Sequence, residues 1–258
     1  MEDDRTVVGR TVTILDAVSS APAPITLALL TKHTGIPKPT VRRIADALVQ
    51  RGMLTRTPQG YRAGDRLIHQ GLRSTWHQRT AHTAQPYLQD LYARAPGEIA
   101  FYCGLHNGEL VNAGTVFGAT HRRSMRETAW PSLASLGQSV VLTATGRLQF
   151  AHHAEQADRV LTTGCAPLTR YSPAHPGRLR ALLADARDTG IAVEQEQSRL
   201  GWGCTAVALH DAAGNLIGAL GLAGRGSTTT TPALRRATVA LAASLERDLA
   251  EMLSSRSA

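Results

Sequence analysis

The chain has 258 residues, which allows one large domain or two modest ones. Apolar side chains make up 43% of it and charged side chains only 19%, so a core can form and a disordered chain is excluded. The formal net charge is +8, and +6 of that charge lies in residues 1–82. Such a local basic excess favours a polyanionic partner, although a well-solvated surface explains it equally well.

The cysteines and the first residues of the chain indicate the cellular compartment in which the protein is expected. Cys103, Cys165 and Cys204 are scattered and odd in number, and they form no disulfide framework. The opening segment MEDDRTVVGR lacks the apolar stretch of a signal peptide. No apolar run reaches the ~18 residues of a membrane helix. We therefore expect a soluble, cytoplasmic protein that has reduced cysteines and needs no metal or cofactor.

Three short helices are predicted at the start of the chain. Apolar spacing indicates helices over residues 11–19 and 26–34. Gly35 ends the second helix, and Pro37 and Pro39 suit the opening turn of a third. In the second and third helices, the side chains predicted to be available for burial are Leu27, Leu29, Leu30, Val41, Ile44, Ala45, Leu48 and Val49.

A small hairpin and two further helices follow. Residues 53–64, MLTRTPQGYRAG, predict two short strands around a turn at residues 57–60. A connecting helix is predicted over residues 65–80. Another helix is expected to begin at Pro86 and to end at Ala95, because proline is tolerated in a first turn.

Beyond Pro96 the pattern changes to hairpins separated by helices. Asn107-Gly108 joins two predicted strands, and a second hairpin is predicted over residues 203–224. These elements predict an α+β domain built on an antiparallel sheet. The remaining predicted elements are helices at 136–150, 154–161 and 173–189, a strand at 191–196 and a closing helix at 232–253.

The sharpest functional pattern is a helix-turn-helix in residues 27–48, LALLTKHTGIPKPTVRRIADAL. A helix that enters the major groove by its first turn needs basic and polar side chains there. The alternative is a helical hairpin that serves only for packing. The residues predicted to contact DNA are Lys38, Pro39, Thr40, Arg42 and Arg43, with Arg56 and Arg62 on the next hairpin as a wing.

The chain resembles the isocitrate-lyase-regulator (IclR) family of bacterial transcription factors. The resemblance is carried by five blocks in order, at residues 9–18 (GRTVTILDAV), 34–56, 60–71, 136–146 (LGQSVVLTATG) and 190–224. It implies an N-terminal winged helix-turn-helix, a linker helix that mediates dimer contacts, and a C-terminal effector-binding domain resembling GAF sensors. It also implies dimers or tetramers that repress or activate genes in response to a small organic ligand.

From this resemblance we expect a DNA-binding domain over residues 1–64, a linker and dimerisation helix over 65–82, and an effector-binding domain over 83–258. Family members receive a carboxylate on backbone amides of a helix start, which suits the unpaired N–H groups there. Two serines of the family correspond here to Gly221 and Ala223, which have no hydroxyl group. The effector-binding residues implied are Ser135, Leu136, Gly137, Glu194, Cys204, Gly221 and Ala223.

The missing hydroxyls remove polar partners and are expected to enlarge the pocket. The effector is therefore predicted to be larger or more apolar than a two- or three-carbon oxo acid, for example an aromatic acid. The run Arg122, Arg123 and Arg126 before Trp130 is either an anion-gripping flap or a solvated loop or oligomer contact.

Two other functions compete with regulation. Cys103 with His106 is the best nucleophile–base pair, so a cysteine-dependent enzyme of small-molecule metabolism is the alternative. No serine-hydrolase, zinc-protease or nucleotide-binding motif is present, and we predict no enzyme activity. A purely architectural DNA-binding protein is disfavoured, because residues 83–258 carry a net charge of only +2.

Overall fold

The computed structural model describes residues 6–72, 75–122, 133–173, 175–226 and 228–254. Within these ranges the chain forms two compact units, one ending at residue 75 and the other beginning at residue 76. Each unit has its own hydrophobic core. Among the helices described, none is both long and apolar enough to cross a bilayer.

Helices and one hairpin form the first unit. Its elements are α1 (Val7–Ser19), α2 (Leu27–Thr34), α3 (Lys38–Gln50), β1 (Leu54–Thr57), β2 (Gly60–Ala63) and α4 (Asp65–Leu72). The predicted order is confirmed, although α1 begins at residue 7 rather than 11.

Local sequence explains where these helices begin and end. The Thr6 hydroxyl accepts a hydrogen bond from the Gly9 amide at 3.0 Å, and Thr26 accepts one from Leu29 at 3.3 Å. Each threonine thereby satisfies one of the free N–H groups of a first turn. Gly35 ends α2 in the left-handed conformation with φ of 66°.

The core of the first unit is built from the predicted apolar stripes. Leu29 is an exception, because the structure leaves it 46% exposed, whereas its neighbour Leu30 is fully buried. Adjacent residues of a helix lie about 100° apart, so the short helix α2 cannot bury both. The buried residues are Ile14, Val18, Ile25, Leu30, Ile36, Val41, Ile44, Ala45, Leu48, Leu54 and Tyr61.

The hairpin β1–β2 is connected to the segment that follows α1. Ile25 and Tyr61 exchange two backbone hydrogen bonds of 2.8 Å, which adds a one-residue bridge beside β2. Gly60 lies against this bridge with φ of 139°. A Cβ at position 60 would come within 2.4 Å of the Ile25 carbonyl oxygen, so only glycine fits there.

The second unit is a five-stranded antiparallel sheet with helices on its faces. The sheet order is β4-β3-β7-β6-β5. Its strands are β3 (Ile99–His106), β4 (Glu109–Phe117), β5 (Ile191–Gln195), β6 (Trp202–His210) and β7 (Leu216–Arg225). Its helices are α5 (Thr75–Arg94), α6 (Ala144–His152), α7 (Ala154–Thr163), α8 (Pro176–Thr189) and α9 (Pro232–Ser254), with 3-10 turns at Ala119–His121, Leu133–Leu142 and Thr228–Thr230.

One face of the sheet packs against α5 and α9. Side chains from both helices and from alternate strand residues form a single apolar cluster, which includes Leu88, Leu91, Leu245, Leu249, Tyr102, Leu209, Leu220 and Leu222. The opposite face carries the other set of alternate residues, since successive side chains of a strand point to opposite sides. The predicted α+β architecture, with a winged helix-turn-helix before an antiparallel-sheet domain, is thus confirmed.

Two predicted helix boundaries are wrong. Pro86 lies inside α5 rather than at a helix start. Burial of Ala84, Leu88 and Leu91 on either side of it outweighs the ~3 kcal/mol that an interior proline costs. The helix predicted over residues 136–150 is divided into a 3-10 segment up to Leu142 and α6.

Candidate functional site

Helix α3 presents a cationic surface. Its buried side is fixed by the apolar stripe that begins at Val41, and the opposite side faces solvent. Thr40 is partly buried, and the residues on the open side near the helix start are Lys38, Pro39, Arg42 and Arg43. The predicted DNA-contacting side chains of this helix therefore share one accessible end, where a first turn can address base edges and phosphates.

The turn between α2 and α3 explains an unusual residue. Helix-turn-helix motifs commonly have a larger apolar residue where this chain has Thr34. The Thr34 hydroxyl donates to the Leu30 carbonyl at 2.7 Å and accepts from the Ile36 amide at 3.3 Å. These hydrogen bonds satisfy the hydroxyl locally, so Ile36 can still enter the core.

The two wing arginines lie on opposite faces of the hairpin. Arg56 pairs with Tyr61 across the strands, and Arg62 pairs with Thr55. Adjacent cross-strand pairs point to opposite faces, so both arginines are exposed but address a partner from different sides. Arg56 also forms an ion pair with Asp46 of α3, with Nη1 3.8 Å from Oδ1.

On the face of the sheet opposite α5 and α9, which α6 covers, most of the residues implied in effector binding come together. Glu194 pairs with Cys204, and Cys204 pairs with Ala223, so the three share one row. Gly221 lies in the next row, between Ala206 and Phe101. The structure thus places four of the seven implied residues side by side, and their role in binding stays a prediction.

Gly221 does not enlarge the pocket in the expected way. A Cβ at this position would come within 2.4 Å of the Phe101 ring and 2.5 Å of the Thr205 carbonyl oxygen. The space that a serine would fill is therefore already occupied by an aromatic ring. The expectation of an enlarged pocket is therefore wrong at position 221, because the Phe101 ring fills the space beside the glycine.

Glu194 is buried, with 3% exposure, and both of its carboxylate oxygens accept hydrogen bonds from the loop that follows β5. They accept hydrogen bonds from the Ser198 hydroxyl at 2.8 Å and from the Gln197 amide at 3.0 Å. Burial raises the pKa of this carboxyl, while the Ser198 hydrogen bond acts in the opposite direction. The carboxylate is positioned by the chain itself before any ligand arrives.

Arg147 of α6 is a buried charged residue near Glu194 that the sequence analysis missed. It is 1% exposed, and Nη1 donates to the Val193 carbonyl at 2.7 Å, while Nη2 bonds to Gln197. Burial lowers the pKa of its guanidinium to about 10, and the nearby Glu194 carboxylate opposes this. An arginine in the middle of the apolar run TATGRLQFA was the available signal, because arginine is rarely buried without partners.

The predicted helix start at Ser135, Leu136 and Gly137 is a kinked 3-10 segment. Gly137 has non-helical angles, φ 52° and ψ −131°, and the α-helix begins only after Thr143. The Thr143 hydroxyl accepts from the Gly146 amide at 2.9 Å and caps α6. The backbone amides of 135–137 therefore do not form the first turn of a regular helix, and carboxylate binding there stays a prediction.

Trp202 is a second residue that the sequence analysis did not identify. It lies one strand position from the paired residues Gly203 and Gly224, and its ring contacts His121 with centroids 5.5 Å apart. The guanidinium groups of Arg199 and Arg225 lie 5.0 and 5.9 Å from the same ring. Trp202 lies on the same sheet face as Cys204. One end of this face therefore carries an aromatic ring with two arginines beside it.

The cysteine–histidine pair of the alternative function is not brought together. Cys103 and His106 are three residues apart on β3, so their side chains point to opposite faces. Cys103 is buried, and burial raises the pKa of its thiol to about 12. Burial likewise raises the pKa of Cys204 well above its ordinary value, which fits a structural thiol.

Two further predictions concern charge and metal. Arg122 is exposed, whereas Arg123, Arg126 and Trp130 of the proposed flap lie outside the described residues. In the described part of the chain, no three His, Cys, Asp or Glu side chains cluster closely enough to hold a metal ion.

Comparisons with known proteins agree with this architecture. The IclR helix-turn-helix domain model matches residues 7–58, and the model of the bacterial transcriptional regulator IclR C-terminal domain matches residues 77–248. A search of curated proteins finds no match.

Several solved structures have the same fold. An IclR homolog from Microbacterium hydrocarbonoxydans complexed with 4-hydroxybenzoate is 23% identical, with 95% of this chain and 99% of that chain covered and a TM-score of 0.74. An IclR transcriptional regulator from Alicyclobacillus acidocaldarius is 20% identical, with 94% and 98% covered and a TM-score of 0.73. At these identities the likeness establishes the fold alone.

Proposed function

Because this chain belongs to the IclR family of bacterial transcriptional regulators, we propose that it binds operator DNA as a dimer or tetramer under the control of a small organic effector. Its helix-turn-helix domain is the DNA-binding module, and its C-terminal domain is the effector-binding module. We place its action in the cytoplasm, where the regulated DNA is located. Residues 1–64 bind DNA, 65–82 link and help to dimerise, and 83–258 bind effector.

The observation that carries the DNA-binding role is the division of α3 into a buried apolar side and an exposed cationic start. Arg42 and Arg43 can pair with guanine or phosphate, and Lys38 at the helix start can meet phosphate. Arg56 and Arg62 extend the contact surface as a wing. Two-fold symmetry would place two such helices on half-sites about one helical turn, ~34 Å, or a multiple apart.

We infer that the effector binds between the sheet and α6, near Glu194, Cys204, Gly221 and Ala223, with Ser135, Leu136 and Gly137 as further contacts. Phe101 and the small side chains around it favour an apolar or aromatic body. The cationic residues around Trp202 favour an acid group. The structural relative complexed with 4-hydroxybenzoate supports aromatic carboxylates as the first compounds to test.

An effector can change DNA binding only if it binds one arrangement of the protein better than another. Because effector binding and DNA binding are coupled, an effector would release a repressor from DNA and would keep an activator on it. We propose repression as the first case to test.

The experiment is footprinting of the purified full chain on the DNA upstream of its own gene, followed by a screen of aromatic and aliphatic acids for shifts of the footprint. We expect protection of two related half-sites and a change of protection with one acid class. A chain that protects no upstream sequence, while folded by circular dichroism, would contradict the proposal.

A further inference from the structure

Asp46 places a negative charge in the middle of the cationic face of α3. It follows Arg42 by four residues and Arg43 by three, so all three share the outward side of the helix. Its side chain is 43% exposed. A carboxylate on a surface that meets DNA phosphates is unfavourable, unless it reads a base or controls a neighbouring cation.

The neighbouring cation is Arg56 of the wing. Its Nη1 lies 3.8 Å from Asp46 Oδ1, and its guanidinium carbon lies 5.9 Å from the centre of the Tyr61 ring. The Tyr61 hydroxyl donates to the same Asp46 oxygen at 3.4 Å. One carboxylate oxygen thus connects the helix to both residues of the cross-strand pair Arg56–Tyr61.

This ion pair is easily exchanged. Both side chains are exposed, at 59% for Arg56 and 43% for Asp46, and ion pairs of this kind contribute little to folding. A DNA phosphate is an equivalent anionic partner for a guanidinium. Each phosphate contact that releases a counterion also strengthens binding and steepens its dependence on salt.

We propose that Asp46 restrains Arg56 in the free protein and thereby limits affinity for DNA of any sequence. On binding, Arg56 leaves Asp46 for a backbone phosphate, so DNA competes with a carboxylate of the recognition helix itself. Asp46 limits affinity rather than sequence preference in this scheme, because the exchange weakens binding to all DNA equally. The inference rests on the proposed DNA-binding function.

The test uses the full chain and a random-sequence duplex of ~30 base pairs, with affinity measured by fluorescence anisotropy over a series of salt concentrations. Asp46→Asn keeps an oxygen that can accept from Tyr61 but removes the charge. We expect this variant to bind about 3- to 8-fold more tightly at ~0.1 M salt, with the salt slope of the unmodified chain, because Arg56 meets the same phosphate in both complexes.

Two controls separate the effect of net charge from the effect of releasing Arg56. Asp16→Asn removes the same charge from an exposed position on α1, so it reports the effect of net charge alone. Arg56→Ala removes the restrained group, and in that background Asp46→Asn should lose most of its gain. A urea midpoint like that of the unmodified chain would show that Asp46→Asn remains folded.

Equal gains from Asp46→Asn and Asp16→Asn would overturn the inference, as would an undiminished gain in the Arg56→Ala background. Tighter binding confined to one sequence would also overturn it, because Asp46 would then read a base. If the unmodified chain binds no duplex at low salt, the proposed function itself fails, and this outcome is distinct from the others.

Discussion

Introducing a serine at position 221 tests how tightly Phe101 packs against β7 in the candidate effector site. Gly221→Ser places a Cβ 2.4 Å from the Phe101 ring and 2.5 Å from the Thr205 carbonyl oxygen. The ring can turn aside, but the carbonyl belongs to the neighbouring strand β6 and cannot move without disturbing the ladder. Overpacking of this kind costs about 1–3 kcal/mol, and an unpaired buried hydroxyl adds to it.

The measurement is urea unfolding of the full chain followed by circular dichroism. Ala223→Ser is the matched control, because it adds a hydroxyl on the same strand where a Cβ already exists. Phe101→Leu should recover part of the loss in Gly221→Ser. Unchanged stability of Gly221→Ser would refute this reasoning and would mean that the space beside Phe101 is open after all.

Further predictions concern the recognition helix, the buried arginine and the buried thiol. Arg42→Ala or Arg43→Ala should lose about 1–3 kcal/mol of operator affinity in a gel-shift titration if it reads a base, and unchanged binding by both would contradict the role of α3. Arg147→Leu should destabilise the second unit by about 1–3 kcal/mol in urea, because the Val193 carbonyl would lose its guanidinium donor. Cys103 should resist alkylation at pH 8 in the native chain and react after unfolding, because a thiol whose pKa is raised to about 12 stays protonated; rapid native modification, mapped by peptide analysis, would contradict this.

The elements that sequence predicted well are those that local residues determine. The stripe on α3 has helical spacing, and burial follows it at Val41, Ile44, Ala45 and Leu48. Asn107 and Gly108 both have positive φ, 48° and 80°, as a two-residue hairpin turn requires.

The elements that sequence predicted poorly depend on contacts between distant residues. The break before α6 requires close approach of Gly146 to the Val140 carbonyl, where a Cβ would lie only 1.8 Å away. Nothing in the apolar run of residues 136–150 identifies that contact. Proline at position 86 is tolerated because neighbouring turns are buried, and this burial is a property of the fold.

In the candidate site, too, some residues could be predicted from the sequence, whereas contacts between distant residues could not. Glu194 and Cys204 were placed by resemblance, and the strand register brings them side by side. The partner of Gly221 could not be foreseen, because Phe101 reaches it from a strand more than a hundred residues earlier. The guanidinium of Arg147 was missed because its partners Val193 and Gln197 lie 46 and 50 residues later in the sequence.

The bridge between Ile25 and Tyr61 makes the segment after α1 a part of the wing. Because Gly60 lies against that bridge without room for a side chain, the wing has little freedom to tilt independently of α1. A genetic screen for loss of operator recognition would then recover substitutions at Gly60, a position that offers DNA no functional group. Such alleles would mimic contact mutants while acting through the orientation of the hairpin.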